Sequence, residues 1–401
     1  MVKPTLPKNS IPFEGDFNRA NDADAGIETT ENFEPFSQRN DAFCRSRWDK
    51  ALMSDAANTF FASYENGASS RKGDGFSQKD FAFRNASWAV ANDYAARNTA
   101  SRGLREGFLA PLEPSEGISK TIVLVDDKDK MAEEIKHISK MFGAHLVGIT
   151  DYDERWTYTH RVDARTMENV ENTLPDDLKN VIVMGVGMDH DLIKTYPSAL
   201  GGAAVGLGYS KEVAAAIQVA QYIRNLGYEA VASVNDTALV IPYAIKAGLG
   251  EYGRNQMVIT PEFGPRLRFS KVFTNMPMAH DAPQKKGVKE FCDICDRCAK
   301  ACPPKALPFG PPEEGGPNKS NIKGVVKWSA DCEKCFGYWT KLQTDCAICL
   351  RVCPYNRDYT KFSARLFRKF AGTRFRKLVK WVDDKFFLPE RLKPKDWWKD
   401  K

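Results

Sequence analysis

Between Cys292 and Pro303 the chain reads Cys292-Asp-Ile-Cys295-Asp-Arg-Cys298-Ala-Lys-Ala-Cys302-Pro303. A second run, Cys346-Ala-Ile-Cys349-Leu-Arg-Val-Cys353-Pro354, follows, with Cys332-Glu-Lys-Cys335 between the two. Nine of the ten cysteines therefore lie within residues 292–353. The first run has the bacterial ferredoxin spacing for a [4Fe–4S] cluster. Three thiolates two residues apart let one tight loop wrap three corners of a cubane. The fourth, placed before a proline, reaches the neighbouring cluster. Two such runs predict two clusters with crossed ligation. Cys292, Cys295, Cys298 and Cys353 hold one. Cys302, Cys346 and Cys349 hold the other, with a fourth ligand from Cys332 or Cys335. A zinc ribbon would use C-x2-C pairs without the third cysteine and the x3-Cys-Pro step. A disulfide framework would not crowd cysteines in a chain long enough to build its own core.

A length of 401 residues suits two or three domains. No apolar run approaches the roughly 20 residues of a membrane span. The first residues, Met1-Val-Lys-Pro-Thr-Leu-Pro7, form neither an apolar signal region nor a twin-arginine pair. The chain reads as a cytosolic protein or as a mature form whose leader has been removed. Residues 361–401 hold 14 Lys/Arg against 5 Asp/Glu, a net +9, so the remainder sums to −3 within the overall +6. This tail also carries nine aromatics, among them Trp381, Trp397 and Trp398. A basic aromatic tail can lie on a membrane surface or an acidic partner. The favoured expectation is an aromatic face packed on the body, with the basic face solvated. No nucleic-acid recognition module surrounds it.

Residues 1–118, rich in Asn, Asp, Gly and Ser, read as an irregular cover with helical patterns near 42–62 and 87–106. An α/β domain is expected over 119–285. Its strands are read at Ile122–Asp126, Leu146–Thr150, Val181–Met184, Ala230–Val234 and Val258–Thr260. Its helices are read at Lys130–Phe142, stopped by Gly143, and at Lys211–Leu226, stopped by Gly227. The cluster segment covers 286–360 and the basic tail 361–401. Gly201-Gly-Ala-Ala-Val-Gly-Leu-Gly208 lacks the preceding strand and the following acid of a dinucleotide fingerprint. Its glycines are expected to let backbone approach a bulky ligand.

Further segments stand in a fixed order: Asn235-Asp-Thr237, then Ala247-Gly-Leu-Gly-Glu-Tyr-Gly-Arg254-Asn255, then Ile259-Thr-Pro-Glu-Phe-Gly-Pro-Arg266, then the paired cysteine runs. Glu154-Arg-Trp-Thr-Tyr158 precedes them and Trp397-Trp398 ends them. Over about 120–400 this combination resembles the corrinoid-dependent respiratory reductive dehalogenases.

The resemblance implies a nitroreductase-like corrinoid-binding domain followed by a ferredoxin-like domain with two [4Fe–4S] clusters. The corrinoid is held base-off. There is no D-x-H-x-x-G motif, and His137, His145, His160, His190 and His280 read as ordinary surface or core residues. The family places a Tyr, an Asn and an Arg on the substrate side of the corrinoid. Here these are Tyr209, Asn235 and Arg268. Reductive loss of halide takes two electrons and usually one proton. Tyrosine, with a reference pKa near 10, stays protonated at neutral pH, and a guanidinium stabilises its phenolate. Asn235 orients the phenol or the leaving halide. Trp339 walls an apolar pocket. The family's C-x3-W setting makes Cys335 the fourth ligand of the second cluster and leaves Cys332 a spare thiol. Cys44 reads as a buried structural residue.

The implied substrate is a small organohalide, a chlorinated alkane or alkene, reduced in anaerobic organohalide respiration. A low-potential electron donor and a small membrane-anchor protein are the implied partners, with room for a homodimer. The implied location is the outer face of the cytoplasmic membrane, peripheral, after twin-arginine export of a precursor. Two rivals stand beside this reading. An epoxyqueuosine reductase-like enzyme shares the cofactor pair but acts on a tRNA base and calls for a basic groove. A ferredoxin-type electron-transfer protein would bind iron without cobalt.

Overall fold

The computed structural model describes residues 22–65 and 71–399. The N-terminal region supplies strand β1 (Thr29–Glu34) and helices α1 (Asp55–Glu65), α2 (Gln78–Ser87) and α3 (Ala89–Arg97). The helical pattern over 42–62 is interrupted because the side chains of Asp49 and Ser54 accept from the amides of Ala51 and Ala57, turning the chain before α1. Helix α2 starts on a reciprocal capping box between Ser77 and Asp80.

The body begins with α4 (Lys128–Met141), whose N-cap Asp127 accepts from the amides of Asp129 and Lys130. Gly143, at φ +103°, ends it. Then come β2 (Leu146–Asp151), β3 (Asn180–Gly187), α5 (Ala199–Asn225), β4 (Ala230–Ser233) and β5 (Leu267–Thr274). The strands form one sheet in the order β2-β3-β5-β4, and every ladder is antiparallel. Successive residues of β3 serve opposite faces. Ile182 and Met184 pack with Ile135, Val213 and Val219 under α4 and α5, whereas Val181 and Val183 pack with Tyr243 and Phe273 on the other side. Both faces being covered explains why β3 reads as a continuous apolar run.

Three expectations need correction. Residues 122–126 are not a strand. The chain there runs past the C-terminal end of α5, with Val123 N–H donating to Leu226 C=O, and Leu124 is 78% exposed. The glycine-rich stretch is not a ligand cradle. It is the first half of α5, and its glycines admit protein side chains: a Cβ on Gly206 would lie 2.0 Å from Ser87 Oγ, and one on Gly208 would lie 2.6 Å from Arg268 Cγ. The tail is packed only in part, as described below. A central strand was also missed. Arg268 and Lys271 hid β5, which lies between β3 and β4.

The cysteine segment follows as α6 (Val288–Ile294), α7 (Arg297–Ala301), β6 (Lys323–Lys327), α8 (Cys332–Leu342) and α9 (Ile348–Arg351). Strand β6 pairs antiparallel with β1, Thr29 opposite Val325, so the N-terminal region is stitched to the cysteine segment. Helices α10 (Phe362–Ala371) and α11 (Arg376–Phe386) come next. The Trp397 and Trp398 rings then close on Phe83, and Trp398 Nε1 donates to Asp80 at 2.8 Å.

Candidate active site and cysteine centres

Tyr209 projects from α5, Asn235 from the turn after β4 and Arg268 from β5. The fold brings the three together. Asn235 Nδ2 donates to the Tyr209 hydroxyl at 2.6 Å, and an Arg268 Nη2 donates to Asn235 Oδ1 at 3.3 Å. The Arg268 guanidinium carbon sits 3.9 Å from the centre of the Tyr209 ring. Gly208 makes this approach possible. Tyr209 is buried, whereas Asn235 is exposed, so the phenol is reached from the asparagine side. Burial pushes the Tyr209 phenol above its ordinary pKa, and Arg268 pulls it back in part. Burial also pulls the Arg268 pKa down, but Tyr209, Glu212 and Asp345 outweigh it and hold the guanidinium charged.

The turn that carries Asn235 is fixed from below. Asp236 Oδ2 accepts from Val234 N–H at 2.9 Å, and buried Lys271 Nζ donates to the Val234 and Asp236 carbonyls at 2.7 and 3.1 Å. Burial lowers the Lys271 pKa to about 8. From the N-terminal region, Gly107 C=O accepts the Asn235 amide. Tyr158 donates its hydroxyl to Asn235 C=O at 3.2 Å.

Sequence reasoning missed three neighbours. Trp88 and Phe108 stack on Tyr209 with ring centres 4.5 and 5.4 Å away, so the irregular cover helps to build the site. Nothing in their local sequence marks them. Glu212, one turn along α5, is fully buried, and both its oxygens lack a hydrogen bond. Its Oε1 lies 3.7 Å from Arg268 Nε, and burial raises its pKa to about 7. Its three-residue spacing from Tyr209 was the available signal. Trp339 lies among other rings, with Phe43 at 5.6 Å and Phe60 at 6.4 Å, and no ring contact joins it to Tyr209.

The thiols fall into two groups. Cys292, Cys295, Cys298 and Cys353 line one small cavity, with Arg254, Asn255 and Tyr355. That is the quartet expected from crossed ligation. Among the described residues no three Cys, His, Asp or Glu side chains converge on a single-ion position. Arg254, from the G-E-Y-G-R-N segment, holds the loop: it donates to the carbonyls of Cys292, Cys295, Pro308 and Gly310 at 2.7 to 3.1 Å. Cys302, Cys335, Cys346 and Cys349 gather in the adjoining apolar cluster. Burial raises the Cys335 and Cys346 thiols to about 12, and neighbouring thiols add to the shift. Cys332 turns elsewhere. Its Sγ lies 3.7 Å from Ala330 C=O and 3.8 Å from Asn321 Nδ2.

Two of the histidines are engaged by the backbone or by an asparagine. His145 Nδ1 accepts from Gly187 N–H at 2.8 Å, and His280 pairs with Asn180 at 2.6 Å. Cys44 is buried, as expected.

The family model described as reductive dehalogenase subunit matches residues 160–278, an interval that contains Tyr209, Asn235 and Arg268. The tetrachloroethene reductive dehalogenase of Dehalobacter restrictus is 32% identical over 351 residues, covering 71% of this chain and 63% of that one. The tetrachloroethene reductive dehalogenase of Sulfurospirillum multivorans is 33% identical over 256 residues, 58% of this chain and 51% of that one. The chain thus spans less than two thirds of the length of these relatives. The epoxyqueuosine reductase of Listeria monocytogenes is 32% identical over only 121 residues, 30% of this chain. Among solved structures, one of a reductive dehalogenase, described as suggesting a mechanism for B12-dependent dehalogenation, superposes with a TM-score of 0.69. It is 20% identical and covers 91% of this chain and 48% of that one. Shared fold, a family match over the three site residues and the extent of sequence identity agree: the chain belongs to the reductive dehalogenase family.

Proposed function

We propose that the protein is a reductive dehalogenase that replaces a halogen by hydrogen on a small organohalide: R–X plus two electrons and one proton gives R–H and X⁻. The observation that carries this reading is the convergence of Tyr209, Asn235 and Arg268. Tyr209 holds the proton that the product carbon receives. Asn235 fixes the phenol by its hydrogen bond. Arg268 offsets the phenolate charge left after transfer, and in a buried site that interaction is little screened. The aromatic neighbours exclude water and suit an apolar chlorinated alkane or alkene.

The donor sets support two [4Fe–4S] clusters, one on Cys292, Cys295, Cys298 and Cys353, the other on Cys302, Cys335, Cys346 and Cys349. For a corrinoid, the supporting observation is a group of buried donors without partners. Trp88 Nε1, beside Tyr209, and Trp339 Nε1 have no hydrogen bond, and an amide-rimmed macrocycle would offer them acceptors. When bound, the corrinoid supplies the cobalt chemistry that cleaves the carbon–halogen bond. On this reading 119–285 is a nitroreductase-like corrinoid domain and 286–360 a ferredoxin-like domain.

Anaerobic reconstitution with iron, sulfide and corrinoid, followed by a halide-release screen with a low-potential donor, tests the proposal. Stoichiometric cobalt and halide release are expected. Full iron without cobalt binding would instead favour a ferredoxin-type protein.

A further inference from the structure

Helices α10 and α11 carry an apolar stripe that no described residue covers. On α10, Ala364, Phe367 and Ala371 face the body, while Phe362 and Leu366 are 72% and 46% exposed. Phe362, Leu366 and Phe370 recur every fourth residue and so share one side of the helix. On α11 the inward residue is Asp383, paired with Arg297 at 2.7 Å and with Arg357. Leu378, Trp381 and Phe386 point away and are 58%, 56% and 65% exposed. The Phe370 and Phe375 rings meet edge to face at 6.1 Å, so the two stripes join across the turn. A contiguous apolar surface of this kind marks an interaction site.

Charge identifies the occupant. Residues 361–388 contain nine Lys/Arg and two Asp. Both aspartates are consumed: Asp383 as above, and Asp384 by Arg297 at 2.6 Å and by Lys380. Among the described residues, Arg365, Lys369, Arg374, Lys377 and Lys385 make no ion pair. Three of these cations lie over the stripe's own rings, Lys369 on Phe370, Arg374 on Phe375 and Lys385 on Trp381, at 5.7, 5.1 and 5.8 Å. Unpaired cations bordering tryptophan, phenylalanine and leucine match the boundary between anionic headgroups and acyl chains. No described helix is long and apolar enough to cross a membrane, so the contact lies in the surface plane.

We propose that the α10–α11 face docks on an anionic phospholipid surface. Leu378, Trp381 and Phe386 enter the acyl boundary, while Arg374, Lys377 and Lys385 meet lipid phosphates. This inference does not depend on the dehalogenase reading.

Co-sedimentation of the full chain with vesicles tests it. Phosphatidylglycerol/phosphatidylcholine vesicles should retain the protein at low salt, and pure phosphatidylcholine vesicles at least tenfold less. High salt should release it, since exposed charges are screened. Trp381→Ser with Phe386→Ser, and separately the triple change Arg374→Glu, Lys377→Glu and Lys385→Glu, should each cut binding at least tenfold without changing the circular dichroism spectrum. The triple variant changes only surface charge, so it decides the matter if the apolar variant fails to fold. Absence of binding to anionic vesicles overturns the proposal, as does binding that the triple variant leaves intact. Capture of an acidic protein by this face without vesicle binding overturns it too.

Discussion

The Arg268 guanidinium lies over the ring of Tyr209, its carbon 3.9 Å from the ring centre, while the hydroxyl itself is held by Asn235 at 2.6 Å. Charge and hydrogen bond thus reach the phenol from different directions, one through the ring face and one at the oxygen. A cation over an aromatic ring is worth about 0.5–2 kcal/mol, and its attraction grows once the ring carries a phenolate. Tyr209→Phe keeps the ring stack and deletes the acid. A positioned general acid contributes about 10²–10⁴-fold, so halide release should fall at least that far with clusters and corrinoid retained. Near-normal release would return Tyr209 to a packing role. Arg268→Lys should harm less than Arg268→Ala, because charge survives though the planar fork does not.

Cys335→Ser should lose one cluster and Cys332→Ser should keep both. Cys335 gathers with Cys302, Cys346 and Cys349, whereas Cys332 contacts Ala330 and Asn321. Iron analysis should give about four and about eight iron per chain respectively. The reverse pattern would hand the ligand role to Cys332.

Arg254→Ala should loosen the first cysteine loop, since charged hydrogen bonds of about 1.5–3 kcal/mol each are lost. Iron bound by the Cys292 quartet should then leave faster under chelator challenge. Arg254→Lys should rescue little, because one ammonium cannot span the carbonyls of Cys292, Cys295, Pro308 and Gly310. Equal iron loss from both clusters would count against this local role.

Glu212 should make stability depend on pH. Its pKa rises from 4.5 to about 7 on folding, through burial and against the pull of Arg268 and Lys271. The folded chain therefore keeps a proton that the unfolded chain releases. Below pH 4.5 the group is neutral in both states and costs nothing. Between 4.5 and 7 the cost grows, levelling at about 3 kcal/mol. Glu212→Gln removes this penalty, so its unfolding midpoint in urea should gain on the wild type as pH rises from 5 to 7.5. A difference that stays constant across that range would remove Glu212 as the source.

The grouping of Cys292, Cys295, Cys298 and Cys353 was legible because cysteine spacing is a local code, whereas the choice of Cys335 over Cys332 came from resemblance. The Tyr209–Asn235–Arg268 grouping came from resemblance, since residues 26 and 33 positions apart meet only once α5, β4 and β5 are folded. Strand β5 was hidden because Arg268 and Lys271 interrupt its apolar pattern, yet Lys271 is buried and Arg268 half-buried, each turned to the site. The glycine run was misjudged for a related reason. Glycine's freedom suggested a loop, but in α5 its missing side chain serves close packing against α2 and β5. Trp88 and Phe108 could not be read at all, because tertiary placement alone brings them to Tyr209.

The seam between β1 and β6 sets a timetable for assembly. Thr29 lies opposite Val325, so strand β1, once made, waits for a partner made 296 residues later. At about 5–20 residues per second that delay is on the order of 15–60 s, and Cys332, Cys335, Cys346, Cys349 and Cys353 emerge later still. Cover and cysteine segment therefore close on each other only after Val325 has been made. Nascent chains arrested before Val325 should lose their first hundred residues to protease, and chains arrested after Cys353 should keep them once iron is supplied. Strand β1, made early, is in the order of folding among the last to find its place.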